Sequence, residues 1–556
     1  MYGIVPEPLV ILLKSQTFLK LLTLFLIPWI TYGGILRGSW VSDDWLGIAA
    51  YDGKLARPVT FSSIFRWLRW QFGRKLNPDY RKKNQPHFVQ SNVQNHRLNI
   101  WFACGTSVLA YHLLGRLVGD TVAFYAVLLW MVHPLGVQCI GWISGIPYAI
   151  SPFFIFLSLI WVSFSSAQAH IPLVASYLIF VVLHSIAVQV QFNAWATAII
   201  LAFMGRWDYA VLSLLVSFLN IMTAFREAVL LRRSTFNEQN MGYSSYFRLA
   251  KFYVVFKSLA YYIFLILFPK RLGLYHTYGY HYEMPKIEME DRLFWIGLAI
   301  LPVLVGVALL GPPPIRFGIA WFLSFILLFL NWITVHQFVT ERYAWLPSLG
   351  WMVILSFLVH GSPYLMGFYW ILFGLALMRT WTHIPTYYDE LSFYLSNVWN
   401  YPNSEVATGN LGVTYSRLGL LGCAIDIWNV GTRINPDYDV NWYNLYSMRR
   451  THGNLGEARE LLLKAISSPT CHFQKLWSQE IRDLELEMRW MEEFNHHPDP
   501  ERWAWAKESV SQVIKGTSSP LVERWAGKLK VIEEELAKRR IPTAQSGTSQ
   551  VIGASS

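Results

Sequence analysis

Ser42-Asp43-Asp44-Trp45 sets two carboxylates side by side a few residues after an apolar run at 18–36. Ionised carboxylates so close to a bilayer surface are costly to desolvate and usually have a task. Either could act as general base on an acceptor hydroxyl. A solvated loop start with a helix N-cap is the plainer alternative. Two basic groups at membrane edges suit the opposite charge. His96 and Arg97 open an apolar segment, and Arg342 stands in Thr340-Glu341-Arg342-Tyr343 between two others. An arginine offers a fixed fork of donors to a phosphate. Arg342 beside Tyr343 suits a phosphate and a sugar, whereas Glu341 and Arg342 could also neutralise each other. His133-Pro134 and Trp142-Ile-Ser-Gly-Ile-Pro-Tyr148 bracket a short apolar stretch. Pro and Gly clusters at membrane depth imply broken helices that line a protein cavity, with a plain turn as the alternative.

The elements that must position these residues are mostly apolar. With 54% hydrophobic and only 15% charged residues, the chain lies far from soluble composition. Twelve apolar segments fill most of the first 380 residues: 18–36, 98–114, 121–132, 143–164, 171–188, 193–204, 209–224, 252–268, 293–310, 317–335, 345–359 and 364–378. The first reads as a retained signal anchor, since no small-residue cleavage site follows it. Several are short enough to be re-entrant. The net charge of +11 is carried by residues beside apolar spans, which favours anionic headgroups or a phosphorylated lipid over nucleic acid. In the loop 37–97, the run 61–72 places aromatics and a leucine on one side with Arg66 and Arg69 interleaved, the pattern of a helix lying in the membrane interface. That loop is itself basic, so the positive-inside rule leaves open whether eleven or twelve crossings occur. Of four cysteines, Cys104 and Cys139 lie in apolar segments, and a Cys423–Cys471 bridge is an option if the tail is extracytoplasmic. No metal site is visible.

The tail carries a 34-residue period. Leu411, Gly412, Tyr415, Ala424, Trp428, Gly431 and Pro436 occupy the large and small positions of a tetratricopeptide repeat, and Leu445, Tyr446, Arg449, Ala458, Leu462 and Ala465 repeat them, with Pro469 one short of register. Generic amphipathic helices follow at 480–493, 502–514 and 521–539, with a Ser/Gly/Thr-rich end expected to be disordered. The expected organisation is therefore all-α: a transmembrane domain 1–385, a linker 386–402, repeat and capping helices 403–540, and a terminal segment 541–556.

In order along the chain, these pieces resemble the transmembrane and tetratricopeptide-repeat O-mannosyltransferase-like family of GT-C glycosyltransferases. The resemblance runs over about residues 22–470. It comprises the Asp43-Asp44 pair, Arg57-Pro58-Val59-Thr60, His96-x-x-Asn99, and His133-Pro134 leading to Trp142-Ile-Ser-Gly145. Tyr261-Tyr262 with Leu267-Phe268-Pro269 and Tyr275, Glu341-Arg342-Tyr343 with Leu346-Pro347-Ser348, and Asp389-Glu390-Leu391 complete it. The family implies a polyprenyl- or dolichyl-phosphate-linked sugar as donor, an extracytoplasmic active site, no required metal or cofactor, and a tail on the active-site side. That placement needs an odd number of crossings, with 252–268 or 193–204 not spanning. It further implies Asp43 or Asp44 as base, Arg342, His96 and Arg97 as donor-phosphate ligands, and His133, Trp142, Glu341 and Tyr343 around the cavity. The setting would be a bacterial inner membrane or the endoplasmic reticulum, with a protein acceptor or partner on the repeats. The chain departs from the family pattern at Gly145-Ile146-Pro147-Tyr148, where Gly-Arg-Lys-Asp is usual, and at Gln189, Gln191 and Asn193, where a Lys-Glu pair is usual. A membrane assembly or scaffold protein without catalysis is the competing expectation. A transporter fits less well, because charges inside the spans are sparse.

Overall fold

The computed structural model describes residues 16–44, 61–76, 88–165, 172–235, 245–274, 276, 290–330, 339–468, 471, 473–497, 499–516 and 519–539. Arg57-Pro58-Val59-Thr60, Tyr275, Pro469 and the terminal segment 541–556 lie outside them. The chain forms two compact units, Met1–Asn435 and Pro436–Ser556.

Among the described residues the first unit is helical apart from turns and a two-stranded antiparallel ribbon, β1 (Arg74–Leu76) and β2 (Phe88–Gln90), which pairs Arg74 with Gln90. Its helices begin with α1 (Gln16–Tyr32), α2 (Phe61–Gly73), α3 (Asn92–Val118), α4 (Asp120–Val132), α5 (Ile146–Ser165) and α6 (Leu173–Val190). They continue with α7 (Thr197–Phe203), α8 (Trp207–Thr235), α9 (Ser245–Leu267), α10 (Arg292–Leu310), α11 (Pro313–Ile326), α12 (Glu341–Val359) and α13 (Pro363–His383). Each expected apolar segment falls on a helix where it is described. Seven helices among the described residues are long and apolar enough to cross a membrane, or eight if α4 and the turns Pro134–Gly141, bent by 57°, form one span. This is fewer than the eleven or twelve segments suggested. Apolar runs mark burial as well as crossing: Asn193–Phe203 rises only about 16 Å, against a hydrocarbon core of about 30 Å.

Small residues let these helices meet. A Cβ on Gly350 of α12 would lie 2.1 Å from the carbonyl oxygen of Gly318 of α11, and one on Gly297 of α10 would lie 1.8 Å from that of Phe256 of α9. Such backbone contact is how helices associate where lipid removes the hydrophobic drive. Around it sits an aromatic core. Trp130 stacks on Trp345 at 4.6 Å, Phe156 on Trp321 at 5.3 Å, and the N–H groups of Trp130 and Trp321 donate to carbonyls of α12.

The start of the first loop and the chain beyond α13 lie together. Ser39 N–H donates to Tyr388 O at 2.7 Å, and Trp381 Nε1 donates to Ile30 O at 3.3 Å. Three further helices complete this unit: α14 (Glu390–Asn400), α15 (Glu405–Arg417) and α16 (Leu421–Ile434). The last two form a hairpin in which Trp428 lies over Gly412 and donates to Gly409 O at 3.0 Å. The large and small residues expected of a repeat therefore do pack against each other.

The second unit holds α17 (Asp439–Thr451), α18 (Leu455–Ser467), α19 (Gln474–His496), α20 (Asp499–Gly516) and α21 (Ser519–Arg539). Tyr446, Ala458, Leu462, Ala465, Trp477 and Leu484 are buried together. Arg450 pairs with Glu480 and Glu487, and Lys528 closes on Glu487 from α21. The division between units falls inside the repeat-like segment. Cys423 and Cys471 are free thiols, one exposed and one buried, so the bridge entertained from sequence is not formed.

Candidate functional site

After Val132 the chain cannot continue as a helix, because Pro134 lacks an amide hydrogen and clashes with the preceding turn. It runs instead through a short 3₁₀ turn (Pro134–Gly136), a π-type turn (Val137–Gly141) and a second 3₁₀ turn (Ile143–Gly145) before α5 begins. The crossing of these turns requires glycine, since a Cβ on Gly145 would stand 1.9 Å from Gln138 O. His133 anchors their start, with Nδ1 toward Leu135 N–H and Nε2 3.0 Å from Ile266 O.

The acidic pair meets this turn from one side. Ser42 has φ +52°, an uncommon left-handed conformation for a non-glycine residue, and it separates the fates of the two carboxylates. Asp44 is fully buried: Oδ1 accepts Ser144 N–H at 2.8 Å and Ser144 Oγ–H at 2.5 Å, and Oδ2 accepts Val41 N–H at 3.2 Å. Asp43 is exposed, near Tyr394 of α14. Burial pushes the Asp44 carboxyl up to about 6, against the lowering effect of the Ser144 and Val41 hydrogen bonds and of nearby Arg69. Arg69 reaches in from α2, donating Nε to Asn95 Oδ1 at 2.5 Å and Nη2 to Ile143 O at 3.2 Å. Burial pulls its pKa down to about 10.

Arg342 meets the same turn from the other side. Its guanidinium lies over the rings of Trp142 (5.5 Å), Tyr148 (5.6 Å) and Tyr343 (5.1 Å), and Nη1 donates to Thr340 Oγ1 at 3.3 Å. Trp142 joins the two ends: its indole N–H donates to Val41 O at 3.3 Å while its ring carries Arg342. Gln138 braces the cation's backbone. It accepts from Thr340 Oγ1 (2.7 Å) and Arg342 N–H (3.2 Å) and donates to Gly273 O (2.9 Å).

Glu341 faces elsewhere. Its carboxylate accepts Gly273 N–H and lies 3.2 Å from His383 Nε2 and 3.5 Å from His276 Nε2. Glu341 thus has two histidines and a backbone amide as partners. His276 in turn meets the hydroxyls of Tyr401 (2.6 Å) and Tyr261 (3.0 Å). His96 is buried beside Gly38, where a glycine Cβ would come within 3.3 Å of Nε2, whereas Arg97 is exposed on α3.

The structure therefore gathers Asp44, Trp142, Arg342 and Tyr343 on one turn, leaves Asp43 exposed near Tyr394, and gives Glu341 and His133 other partners. Sequence reasoning missed the roles of Arg69, Ser144, Gln138, His276 and His383. Their one signal was polarity inside apolar surroundings, which costs free energy unless partners are supplied.

No protein-family model, no curated protein and no solved structure matches this chain. The class that the fold defines is a multi-pass integral membrane protein followed by a distinct C-terminal helical region.

Proposed function

We propose that this chain is a membrane glycosyltransferase that moves a sugar from a polyprenyl- or dolichyl-phosphate donor to a hydroxyl of a protein or glycan. The observation that carries this reading is the shared turn: the Asp44 carboxylate and an arginine in an aromatic setting meet on residues 142–148, with Asp43 next to Asp44 in the chain. In the reaction, the acceptor oxygen bonds to the anomeric carbon and its proton passes to a carboxylate. The bond from that carbon to the phosphate oxygen breaks, and the lipid phosphate leaves with the electron pair. Asp43 is the base in this reading, because an incoming hydroxyl must reach it, and Asp44 holds the backbone that presents it. Arg342 meets the charge that grows on the leaving phosphate. The hairpin α15–α16 and the helices after it would hold the acceptor or a partner, on the side of the membrane that carries the first loop.

A non-catalytic assembly factor is the second reading, favoured by the full enclosure of Asp44 and by Ile146-Pro147 where the resembled family carries cations. Arg342→Lys separates the two. As donor ligand, Arg342 loses its fork, and binding of undecaprenyl or dolichyl phosphate in nanodiscs should weaken by about 1–3 kcal/mol at near-normal yield. Collapsed yield with unchanged lipid binding in the surviving protein would overturn the transferase reading.

A further inference from the structure

The helix α2 has two faces with opposite tasks. Arg69 and Gly73 turn inward: Arg69 is 8% exposed, and a Cβ on Gly73 would lie 2.7 Å from Gln90 Oε1 and 3.1 Å from Asn95 Nδ2. The Gly73 carbonyl accepts Ser91 N–H at 2.7 Å, which pins the end of the helix to the start of α3. On a separate face, Ile64, Leu68 and Phe72 recur every four residues and are 38%, 51% and 48% exposed. Residues at that spacing form one stripe along a helix.

Two observations say what covers the stripe. It lies on an arm pinned to the first turn of α3, a membrane-crossing helix, so it is continuous with the surface where that span meets the headgroups. Arg74 and Lys75 follow the helix directly on β1 and are exposed, matching the charge of an anionic leaflet. We propose that α2 is a bilayer-seated arm: a lipid headgroup layer against Ile64, Leu68 and Phe72 holds Arg69 on the Ile143–Ser144 peptide and so fixes the geometry of Asp44. The linkage is a single peptide unit. Arg69 draws on its carbonyl oxygen and Asp44 on its N–H, so each bond polarises the peptide toward the other. Lifting the arm removes the charged partner and leaves the Ile143 carbonyl to the backbone N–H of Ile146.

The test uses the full-length protein in nanodiscs containing anionic phospholipid, and it needs no transfer assay, so it stands or falls apart from the transferase reading. Cys423→Ser leaves three buried cysteines. Nitroxides are then placed by Leu68→Cys and, as a control in the second unit, by Leu463→Cys. The label at 68 should collide preferentially with oxygen and the label at 463 with a water-soluble nickel chelate. Hydrogen exchange supplies the second arm. Leu68→Glu should speed exchange at 142–146 by about tenfold, the scale of one lost buried hydrogen bond, and leave Leu455–Ser467 unchanged. Arg69→Lys keeps the charge without the fork and should give a smaller increase, covering the case in which Leu68→Glu fails to fold. Nickel accessibility at 68 equal to that at 463, protection that appears only at high protein density, or unaltered exchange at 142–146 in the variants would each overturn the proposal.

Discussion

Arg69 and Asp44 grip one peptide from its two ends: Nη2 donates to Ile143 O at 3.2 Å, and Oδ1 accepts the N–H of Ser144 at 2.8 Å. An acid and a base that each bond the same amide hold it more rigidly than either would alone. The cost is a carboxyl kept away from water, and that cost is measurable.

The Asp44 carboxyl sits at about 6 in the folded protein, well above the usual carboxylate range, because burial disfavours its charged form. The native state thus binds this proton more tightly than the unfolded chain does. Asp44's contribution to stability is most favourable below about 4 and declines as pH rises to about 6, by on the order of 3 kcal/mol. Melting curves in nanodiscs between pH 4 and 7 should show this decline in the parent and a flatter profile in Asp44→Asn. Parallel profiles would remove Asp44 as the titrating group.

Asp43→Asn should leave the melting temperature near that of the parent, since Asp43 is exposed. If the chain transfers sugar, the same change should lower the rate roughly 100- to 10,000-fold by deleting the base. Transfer at the parental rate by Asp43→Asn would move the role elsewhere.

Gly350→Ala and Gly374→Ala make a matched pair. A Cβ on Gly350 meets the backbone of Gly318 at 2.1 Å, which cannot yield, whereas nothing lies within 4 Å of one on Gly374. The first should destabilise by about 1–3 kcal/mol through overpacking. The second should be neutral or gain up to about 1 kcal/mol from helix propensity. Thermal melts in one lipid decide it, and equal effects would show that the two helices do not cross at Gly350.

In the second unit, Glu487 accepts from Arg450 at 2.8 Å and from Lys528 at 2.5 Å. Burial alone would raise its pKa, but the bonds to Lys528 and Arg450 outweigh this and hold it below the usual value. Its stabilisation is present above the unfolded glutamate pKa and is lost as pH falls through the lower folded value. Glu487→Gln should speed exchange across α19 and α21 at pH 7 and leave α4 untouched. Unchanged exchange in α19 would show that the cluster contributes nothing there.

Much of the membrane body was legible in the sequence, because burial in lipid or in protein both demand apolar runs. The same ambiguity hid which runs cross: the short stretch Asn193–Phe203 looks like the others until its length is measured. The turn was legible too, since His133-Pro134 and Trp142-Ile-Ser-Gly145 break helices for local reasons. Its partners were not. Ser144 and Asp44 are 100 residues apart, and Gln138 and Thr340 are 202 apart, so only the fold could pair them. Nor could spacing show that the left-handed Ser42 buries one aspartate and exposes its neighbour.

The bond from Trp381 to Ile30 closes a separation of 351 residues. Chains leave the ribosome at about 5–20 residues per second, so on the order of 20–70 s pass between synthesis of these partners. Asp44 can be locked once Ser144 has been made, whereas Ser39 must wait for Tyr388. Through that interval the first helix is already held by α3 and α4, where Ser107 donates to Leu24 O and Lys20 pairs with Asp120, so the bond to Trp381 is a late closing step laid on a preformed core.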